Sequence, residues 1–401
     1  MCCCLSGVPA RYAGAETVDP GQVLLYNKQF RKAADRYERI IQTDTATMTD
    51  HRYYQDACFA LGDSAREAVS RYYRTRLEQN PENADYSYLY GRCLPCSSAV
   101  SYFEKARKIA ECHSWALNGI GACRFERNDM QGAKDAFLKT IKCDPDFGEA
   151  YQNLSQVYLK EKKIRRAKKV YRKLIVRNRA NPLAYEWLGD MYLTMEEYRY
   201  AILAYKKAIH LGAQHPDVFF KAGFSSFKGN NFPQAIIWYK KSIDAGNRNF
   251  DVFYNLGTVY ELVNMPQEAL EQYERAYEIE PGYALRYSMG NCAVQLGLYS
   301  TAIQWYRAFL EKEPDNTEAL IGLANAYQLK KDYAKAINIY NRIIVKDSTV
   351  KKAYYNLGSI YAYYLKDYNK MKQYWETYIT LFPHEKDSEF LKREMEKISR
   401  N

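Results

Sequence analysis

The 401-residue sequence lacks the short motifs by which common enzyme families bind phosphate groups, activate a serine or hold a catalytic zinc. It contains no Walker phosphate loop, no G-x-S-x-G elbow and no H-E-x-x-H helix, and its five histidines are scattered along the chain. We therefore predict that the chain is not an enzyme and that it uses no cofactor and no metal.

Long apolar runs are also missing. No stretch of about 18 or more uncharged apolar residues occurs in the sequence, so no segment is predicted to cross a membrane. The ten cysteines lack the even spacing of a small secreted scaffold, which favours free thiols in the cytoplasm. Cys93 and Cys96 form a lone C-x-x-C, but a second ligand pair at metal spacing is missing, so small core residues are the favoured interpretation.

A period of 34 residues runs through most of the chain. Counting from Gly148 as position 1, a small residue falls at position 8, alanine at position 20 and an aromatic residue at position 24. Position 8 is filled by Gly121, Ser155, Gly189, Gly223, Gly257, Gly290, Ala324 and Gly358, and position 24 by Phe137, Tyr171, Tyr205, Tyr239, Tyr273, Tyr306, Tyr340 and Trp375. Apolar residues three and four apart on each side of a polar break predict two helices, A and B, in every repeat.

Each repeat is therefore predicted to be a helical hairpin whose helices cross closely at positions 8 and 20. One hairpin cannot bury both of its apolar faces, so neighbouring hairpins must stack. The L-G…Y…A…Y…P pattern between Tyr254 and Pro281 resembles the tetratricopeptide repeat family. The resemblance implies an all-α, right-handed superhelical solenoid of about eleven helical hairpins with a C-terminal capping helix.

Four segments are predicted along the chain. Residues 1–19 form an N-terminal tail, residues 20–113 hold degenerate repeats, residues 114–385 hold regular repeats and residues 386–401 form the capping helix. Short spacing near residues 91–98 predicts a break in the superhelix, and one residue is inserted near Leu365. The cysteine-rich tail leaves three interpretations open, namely a lipid anchor, a bacterial leader and a frayed end.

The resemblance implies a scaffold or adaptor that binds partner proteins along the concave face formed by the A helices. Positions 2, 5, 9 and 12 line that face and carry acids, aromatics and asparagines. The candidate groove residues are Glu186, Asp190, Asp217, Phe220, Phe224, Asp251, Tyr254, Tyr287, Asn291, Asn325 and Tyr355. Because acids on one inward face repel one another, we expect the partner to offer an extended segment that is basic and apolar. Asparagine at position 6 of some repeats gives partial support for holding a peptide backbone.

The positive charge is concentrated in one stretch. Between Lys160 and Arg179, eleven basic residues and one acid give +10 of the net +11 of the chain. The basic patch is represented by Arg165, Arg166, Lys168, Lys169, Arg172 and Lys173. It is interpreted as a solvated face, or as a site for an acidic protein or an anionic surface. Nucleic acid is the least favoured partner because few aromatic residues are interleaved.

Two other roles stay open beside the scaffold. The chain is alternatively an exported or lipid-anchored envelope component of a bacterium that organises a surface or motility assembly. It is alternatively the accessory, substrate-recruiting subunit of a separate enzyme. The cytoplasm is the expected location, with membrane association or export through the cysteine-rich N-terminus as the alternative.

Overall fold

The structure is a computed structural model that describes residues 19–43, 45–177 and 179–400. The predictions for residues 1–18, including the three consecutive cysteines, lie outside the described residues. Over the described ranges the chain forms helices and no strands. It divides into two compact units, an N-terminal unit that ends at Val252 and a C-terminal unit that begins at Phe253.

The helices of the N-terminal unit have these bounds: α1 (Pro20–Tyr26), α2 (Phe30–Ile41), α3 (Met48–Ala60), α4 (Asp63–Gln79), α5 (Ala84–Arg92), α6 (Cys96–Ile109), α7 (Ser114–Glu126), α8 (Met130–Cys143), α9 (Gly148–Lys160), α10 (Ile164–Arg177), α11 (Pro182–Thr194), α12 (Tyr198–His210), α13 (Pro216–Lys228) and α14 (Phe232–Asp244). Helix α15 (Phe250–Leu262) begins in this unit and continues into the next.

The helices of the C-terminal unit are α16 (Pro266–Ile279), α17 (Tyr283–Gln295), α18 (Tyr299–Leu310), α19 (Thr317–Leu329), α20 (Tyr333–Lys346), α21 (Lys351–Ser359), α22 (Tyr368–Leu381) and α23 (Lys386–Arg400), with a π-helical turn at Ile360–Leu365. Up to α22, odd numbers mark A helices and even numbers mark B helices. From α1 to α14 and from α16 to α23 each helix packs on the next along the chain, and successive A helices such as α7 and α9 or α17 and α19 also contact one another. These stacked hairpins confirm the predicted all-α, solenoid-like fold, whereas the repeat number and the handedness stay predictions.

Small residues at position 8 make room for the aromatic ring at position 24, as the sequence predicts. Tyr205 is fully buried, and a β-carbon added to Gly189 would lie 2.6 Å from its Cε1 atom. Ala201 at position 20 is equally buried. The two helices of a hairpin therefore approach closely because the ring occupies the space that a side chain at position 8 would need.

The turn between helices A and B repeats as faithfully as the core. Position 15 has a left-handed backbone in seven repeats, with φ between 57° and 75°, at Asn128, Lys162, Glu196, Asn230, Asn264, Gly297 and Lys331. In the last repeat the left-handed residue is Lys366, one position later. The π-helical turn at Ile360–Leu365 accommodates this extra residue, which confirms the predicted insertion.

The predicted break near residues 91–98 is wrong. Helix α5 ends at Arg92 and α6 begins at Cys96, but the two helices pack tightly, since a β-carbon on Gly91 would lie 2.7 Å from the Phe103 ring. The boundary between the two compact units falls instead after Val252, near the start of α15. A short turn was therefore mistaken for a weak junction.

Two disulfides join this hairpin to the following one. Cys96 is bonded to Cys123, and Cys112 is bonded to Cys143. The prediction of free thiols is wrong for these four residues, because stacking brings together helix ends that lie 27 and 31 residues apart in the sequence. Among the described cysteines, Cys58, Cys93 and Cys292 are free.

The C-terminal helix closes the core of the C-terminal unit as expected. Leu391 of α23 is fully buried, and Met395 and Ile398 pack against the same cluster. Over the described residues, no helix is long and apolar enough to cross a membrane.

Candidate partner-binding faces

The acids that the sequence places on the A-helix face of the N-terminal unit are paired with cations of the same chain. Lys221 of α13 places its Nζ 3.0 Å from Oδ1 of Asp190 and 2.8 Å from Oδ2 of Asp217. The hydroxyl of Tyr205 also donates to Asp190 Oδ1 at 2.7 Å. Burial lowers the pKa of Lys221, but the two carboxylates outweigh it and hold that pKa well above its usual value. Asp190 and Asp217 therefore share a permanently charged internal partner.

Glu186 is less accessible than a groove residue should be. Only 6% of its surface is exposed, and its Oε2 atom lies 2.8 Å from His215 Nε2. Burial lowers the pKa of His215, but the charge and hydrogen bond of Glu186 raise it further, with a net increase. The pair bridges α11 and the start of α13, so the structure gives Glu186 a partner inside the fold.

Further acids of this face also have internal partners, and some come from the N-terminal helices. Arg52 of α3 lies 2.9 Å from Glu149 and stacks over the Trp115 ring at 3.9 Å. Lys28 lies 3.8 Å from Asp251, with both side chains more than half exposed. In the N-terminal unit these acids are therefore compensated within the chain, and their mutual repulsion does not require a cationic ligand.

The first and last hairpins of the N-terminal unit also contact each other. The side-chain amide of Asn27 donates to the Gly246 carbonyl at 2.5 Å and accepts from the Arg248 amide at 2.6 Å. One side chain thus fixes the end of α1 to the turn after α14, more than 200 residues along the chain.

Two phenylalanines separate the acids of this face. Phe220 and Phe224 are half-buried, and the Phe220 ring lies 5.7 Å from the ring of Tyr239 beneath it. Position 9 of this repeat is Phe224 rather than a polar residue. As a result, the buried Tyr239 hydroxyl has no hydrogen-bond partner within the described residues.

In two repeats of the C-terminal unit, position 9 of the A-helix face carries a neutral amide that accepts a hydrogen bond from a buried tyrosine. The Tyr306 hydroxyl donates to Asn291 Oδ1 at 2.6 Å, and the Tyr340 hydroxyl donates to Asn325 Oδ1. Asn356 Nδ2 donates to the same Asn325 oxygen at 3.1 Å. These bonds orient the amides of Asn291 and Asn325 and leave their Nδ2 donors without a partner among the residues that the structure describes.

Three candidate tyrosines occupy position 5 of their repeats, on the same A helices as the position-9 residues. Tyr254 is 39% exposed, and Tyr287 and Tyr355 are half-buried. Each ring packs about 6 Å from the buried position-24 or position-27 ring of its own repeat, namely Tyr273, Tyr306 and Tyr378. One side of each ring is thus held by the core while the other borders the A-helix face.

The sequence did not reveal that position 9 accepts a hydrogen bond from the buried tyrosine at position 24. The signal was present, because Asp190, Asn291 and Asn325 each precede their tyrosine by fifteen residues. In the repeat of Tyr273 the acceptors are Glu261 and Thr258.

The basic patch lies on α10, and most of its charge has no internal partner. Lys168 lies 3.2 Å from Glu197. The other five candidates, Arg165, Arg166, Lys169, Arg172 and Lys173, are exposed and make no ion pair with any described residue. The patch is therefore a set of free cations rather than a network of salt bridges.

No group of three or more histidines, cysteines and acids in the described part of the chain is placed to hold a metal ion. Cys96 of the C-x-x-C pair is in a disulfide, and burial raises the pKa of the Cys93 thiol to about 12. A thiol that stays protonated is a poor metal ligand and a poor nucleophile.

Comparison with known families agrees with the repeat geometry. A family model described as the tetratricopeptide repeat protein 21 C-terminal ARM domain matches residues 97–244. Three models described as tetratricopeptide repeat match residues 254–312, 293–357 and 351–385. The chain is a tetratricopeptide repeat protein. The comparison with curated proteins found no match.

Several solved structures are similar to parts of this tetratricopeptide repeat protein. YrrB, a TPR protein with an unusual peptide-binding site, is 24% identical with a TM-score of 0.43, covering 46% of this chain and 95% of YrrB. The C-terminal part of a TPR repeat-containing protein from Cytophaga hutchinsonii is 22% identical, with a TM-score of 0.46 and coverage of 58% and 96%. The APC/C hetero-tetramer Cut9–Hcn1 is 13% identical, with a TM-score of 0.37 and coverage of 94% and 95%. All three TM-scores are below 0.5, so the family assignment depends on the repeat models and the repeat geometry.

Proposed function

We propose that this tetratricopeptide repeat protein is a non-catalytic scaffold that binds an extended segment of a partner protein on the A-helix face of its C-terminal unit. The observation that carries the proposal is the pair of oriented amides at Asn291 and Asn325. Each has its oxygen engaged by a buried tyrosine and its Nδ2 donor free of partners in the described chain.

Preorganised donors of this kind suit a peptide backbone. Asn291 and Asn325 occupy position 9 of successive repeats, and packed helices lie about 8–10 Å apart. A segment in the polyproline II conformation advances about 9 Å in three residues and presents the same face again. Two carbonyl groups of one segment therefore match the spacing of the two donors.

The tyrosines define the side chains of the proposed segment. Tyr254, Tyr287 and Tyr355 offer aromatic surface for apolar groups, and their rings also attract lysine or arginine by cation–π interaction. A basic and apolar segment thus remains the proposed ligand, but its cations are expected to contact rings rather than the paired acids of the N-terminal unit.

The test removes the two amide donors and keeps an acceptor for each tyrosine hydroxyl. Peptides are selected from a displayed random library on the full-length protein, and their affinities are measured by fluorescence polarisation. The double variant Asn291→Asp, Asn325→Asp keeps the oxygen that each tyrosine needs and removes both amide donors. Asp190 fills the same position in the N-terminal unit and accepts from Tyr205, but it is also paired with Lys221, so a thermal melt of the double variant must confirm that the fold is retained. We expect the selected peptides to bind at least about tenfold more weakly.

A matched control adds the same charge on the B helices. Asn338→Asp, Asn341→Asp places two carboxylates on α20, where the oxygen of Asn341 also accepts from a tyrosine, Tyr374, at 3.0 Å. This variant should bind the peptides as the wild type does. Equal affinity of the Asn291→Asp, Asn325→Asp variant and the wild type would refute the proposal.

The two disulfides favour one further candidate, an exported component of a bacterial envelope assembly. Disulfides persist in oxidising compartments and are rare in the cytosol, so Cys96–Cys123 and Cys112–Cys143 support export over a cytoplasmic location. Mass spectrometry of the native protein after alkylation would test this. In an exported protein the four cysteines of these two pairs should stay unmodified. Alkylation of all four without prior reduction would show free thiols and would support the cytoplasmic location instead.

A further inference from the structure

We propose a second docking site, on the B-helix face of the N-terminal unit, for an acidic segment of a partner protein that inserts one large apolar side chain between flanking carboxylates. The site is a pocket of about 290 Å³ between α8, α9 and α10. The pocket is separate from the A-helix faces, so this proposal can be tested independently of the proposed function.

The pocket has an apolar floor and an apolar wall. Tyr151 and Leu154 of α9 and Val170 of α10 form the floor and are buried. Leu138 of α8 forms part of the wall with 47% of its surface exposed. An opening of this depth, with an exposed aliphatic residue at its edge, accommodates an apolar side chain from another molecule.

Leu138 departs from the pattern of its own position. It occupies position 25, directly after the buried aromatic residue. The other repeats place a polar or charged residue there, namely Arg172, Lys206, Lys240, Glu274, Arg307, Asn341 and Glu376. Stacking of the hairpins therefore does not require an apolar residue at position 25. The Leu138 side chain is thus available to contact a partner molecule.

The rim of the pocket is cationic. Arg166, Lys169 and Lys173 line it from α10, at intervals of three and four residues that put them on one side of the helix. None of the three makes an ion pair with a described residue, and no acid is among the pocket-lining residues. No other regular repeat carries a basic residue at all three of these positions. The unpaired charge complements an acidic partner.

Size and spacing favour a protein segment over a lipid. The pocket is at the small end of the range for ligand cavities, about 300–1,000 Å³, which suits one or two large side chains rather than an acyl chain. Arg166 and Lys173 are separated by about 10 Å along the helix axis. Carboxylates three residues apart in a polyproline II segment lie on one side of that segment about 9 Å apart, with the apolar residues between them in sequence.

The experiment uses the full-length protein and a fluorescein-labelled peptide of sequence DDELFEDD at two salt concentrations. We expect saturable binding that weakens as salt increases. The variant Arg166→Glu, Lys173→Glu should bind at least about tenfold more weakly. Leu138→Ser removes the apolar wall and should weaken the binding of DDELFEDD about fivefold or more. The peptide DDESSEDD lacks the apolar anchor and should bind the wild type about fivefold more weakly or worse.

The control changes the same charge on the same helix outside the pocket. Arg165→Glu, Arg172→Glu reverses two exposed residues that are also seven apart and that do not line the pocket. Its affinity for DDELFEDD should fall less than about threefold, because only long-range attraction is lost. Thermal melts of both variants confirm that the fold is retained.

Several results would overturn the proposal. The proposal would be refuted if DDELFEDD did not bind saturably or if DDELFEDD and DDESSEDD bound with equal affinity. It would also be refuted if Arg166→Glu, Lys173→Glu and Arg165→Glu, Arg172→Glu lost the same affinity for DDELFEDD. Binding to phosphatidylserine vesicles without binding to the peptide would assign the patch to a membrane surface. A concentration-dependent dimer that dissociates in Arg166→Glu, Lys173→Glu would assign the pocket to a second copy of the chain.

Discussion

The A-helix faces of the two units meet the same structural requirement with different chemistry. In both units an acceptor at position 9 of certain repeats satisfies the buried tyrosine hydroxyl at position 24. The N-terminal unit uses Asp190, whose charge then requires Lys221, whereas the C-terminal unit uses the neutral amides of Asn291 and Asn325. A carboxylate accepts hydrogen bonds and donates none, and its charge is balanced here by a cation of the same chain. An amide that accepts through its oxygen still has its N–H groups available to donate.

The difference is the reason for proposing the C-terminal face as the binding surface. In the N-terminal unit the chain itself supplies counter-ions, with Lys221 between two acids and Arg52 beside Glu149. Displacing them would leave desolvated charges without partners. In the C-terminal unit the free amide donors lose little by donating to a peptide carbonyl in place of water. The acids of the N-terminal face are therefore paired within the chain, whereas the asparagines at position 9 in the C-terminal unit keep the free donors on which the proposed function rests.

The largest effect should come from removing the cation that serves two acids. Lys221→Met leaves Asp190 and Asp217 facing each other with side chains 26% and 32% exposed. Deleting one partner of a fully buried ion pair costs about 3–5 kcal/mol, and partial hydration should reduce the loss here to about 2 kcal/mol. The melting temperature should fall by several degrees in differential scanning fluorimetry.

The C-terminal unit offers the matched control. Lys352 lies 3.8 Å from Glu318, and both side chains are more than 60% exposed. Lys352→Met should change the melting temperature by about 1 °C or less, because exposed pairs contribute little. Equal losses for Lys221→Met and Lys352→Met would remove the distinction between the two faces.

A smaller effect should follow from deleting single tyrosine hydroxyls. Tyr205→Phe breaks a bond to a charged acceptor and should cost about 1.5 kcal/mol, and Tyr306→Phe, with its neutral acceptor Asn291, should cost about 1 kcal/mol. Tyr239→Phe should cost nothing or stabilise the protein slightly, because this buried hydroxyl has no partner in the described chain. Urea unfolding of the three variants would show this order, and a loss at Tyr239 as large as that at Tyr205 would contradict it.

The repeat period made most of the fold predictable. Small residues at position 8 and rings at position 24 are requirements of close helix packing, so Gly189 and Tyr205 reveal their contact through sequence spacing alone. Even the inserted residue near Leu365 was visible as a change of phase. The disulfides were not, because nothing in the spacing of Cys96 and Cys123 shows that two helix ends meet.

The candidate site was harder to predict because charge on a face does not reveal its partners. Position numbering placed Asp190 and Asp217 correctly on helix A but omitted Lys221, which stands at position 6, outside the positions assigned to the groove. His215 lies before the helix and was omitted for the same reason. The pocket beside Leu138 was missed because three helices form it, and no single helix shows an apolar floor under a basic rim.

The smallest expected effect is a pH dependence that only the N-terminal face should show. Glu186, Asp217 and Lys221 face His215, and the net result of burial and these charges is a raised His215 pKa in the folded protein. The stabilisation from the imidazolium is thus fully present below the ordinary histidine pKa of 6.5 and is lost as pH rises through the higher folded pKa. His215→Asn keeps a side chain able to cap α13 and removes the titration. The difference in melting temperature between the wild type and this variant should shrink from pH 6 to pH 9.

Burial lowers the pKa of His51 and gives the opposite trend, but His51 is present in both proteins and cancels in the difference. His384→Asn, at an exposed site in the C-terminal unit, is the control and should melt as the wild type does at every pH. A difference for His215→Asn that is constant or grows with pH would show that the contact with Glu186 does not depend on a proton.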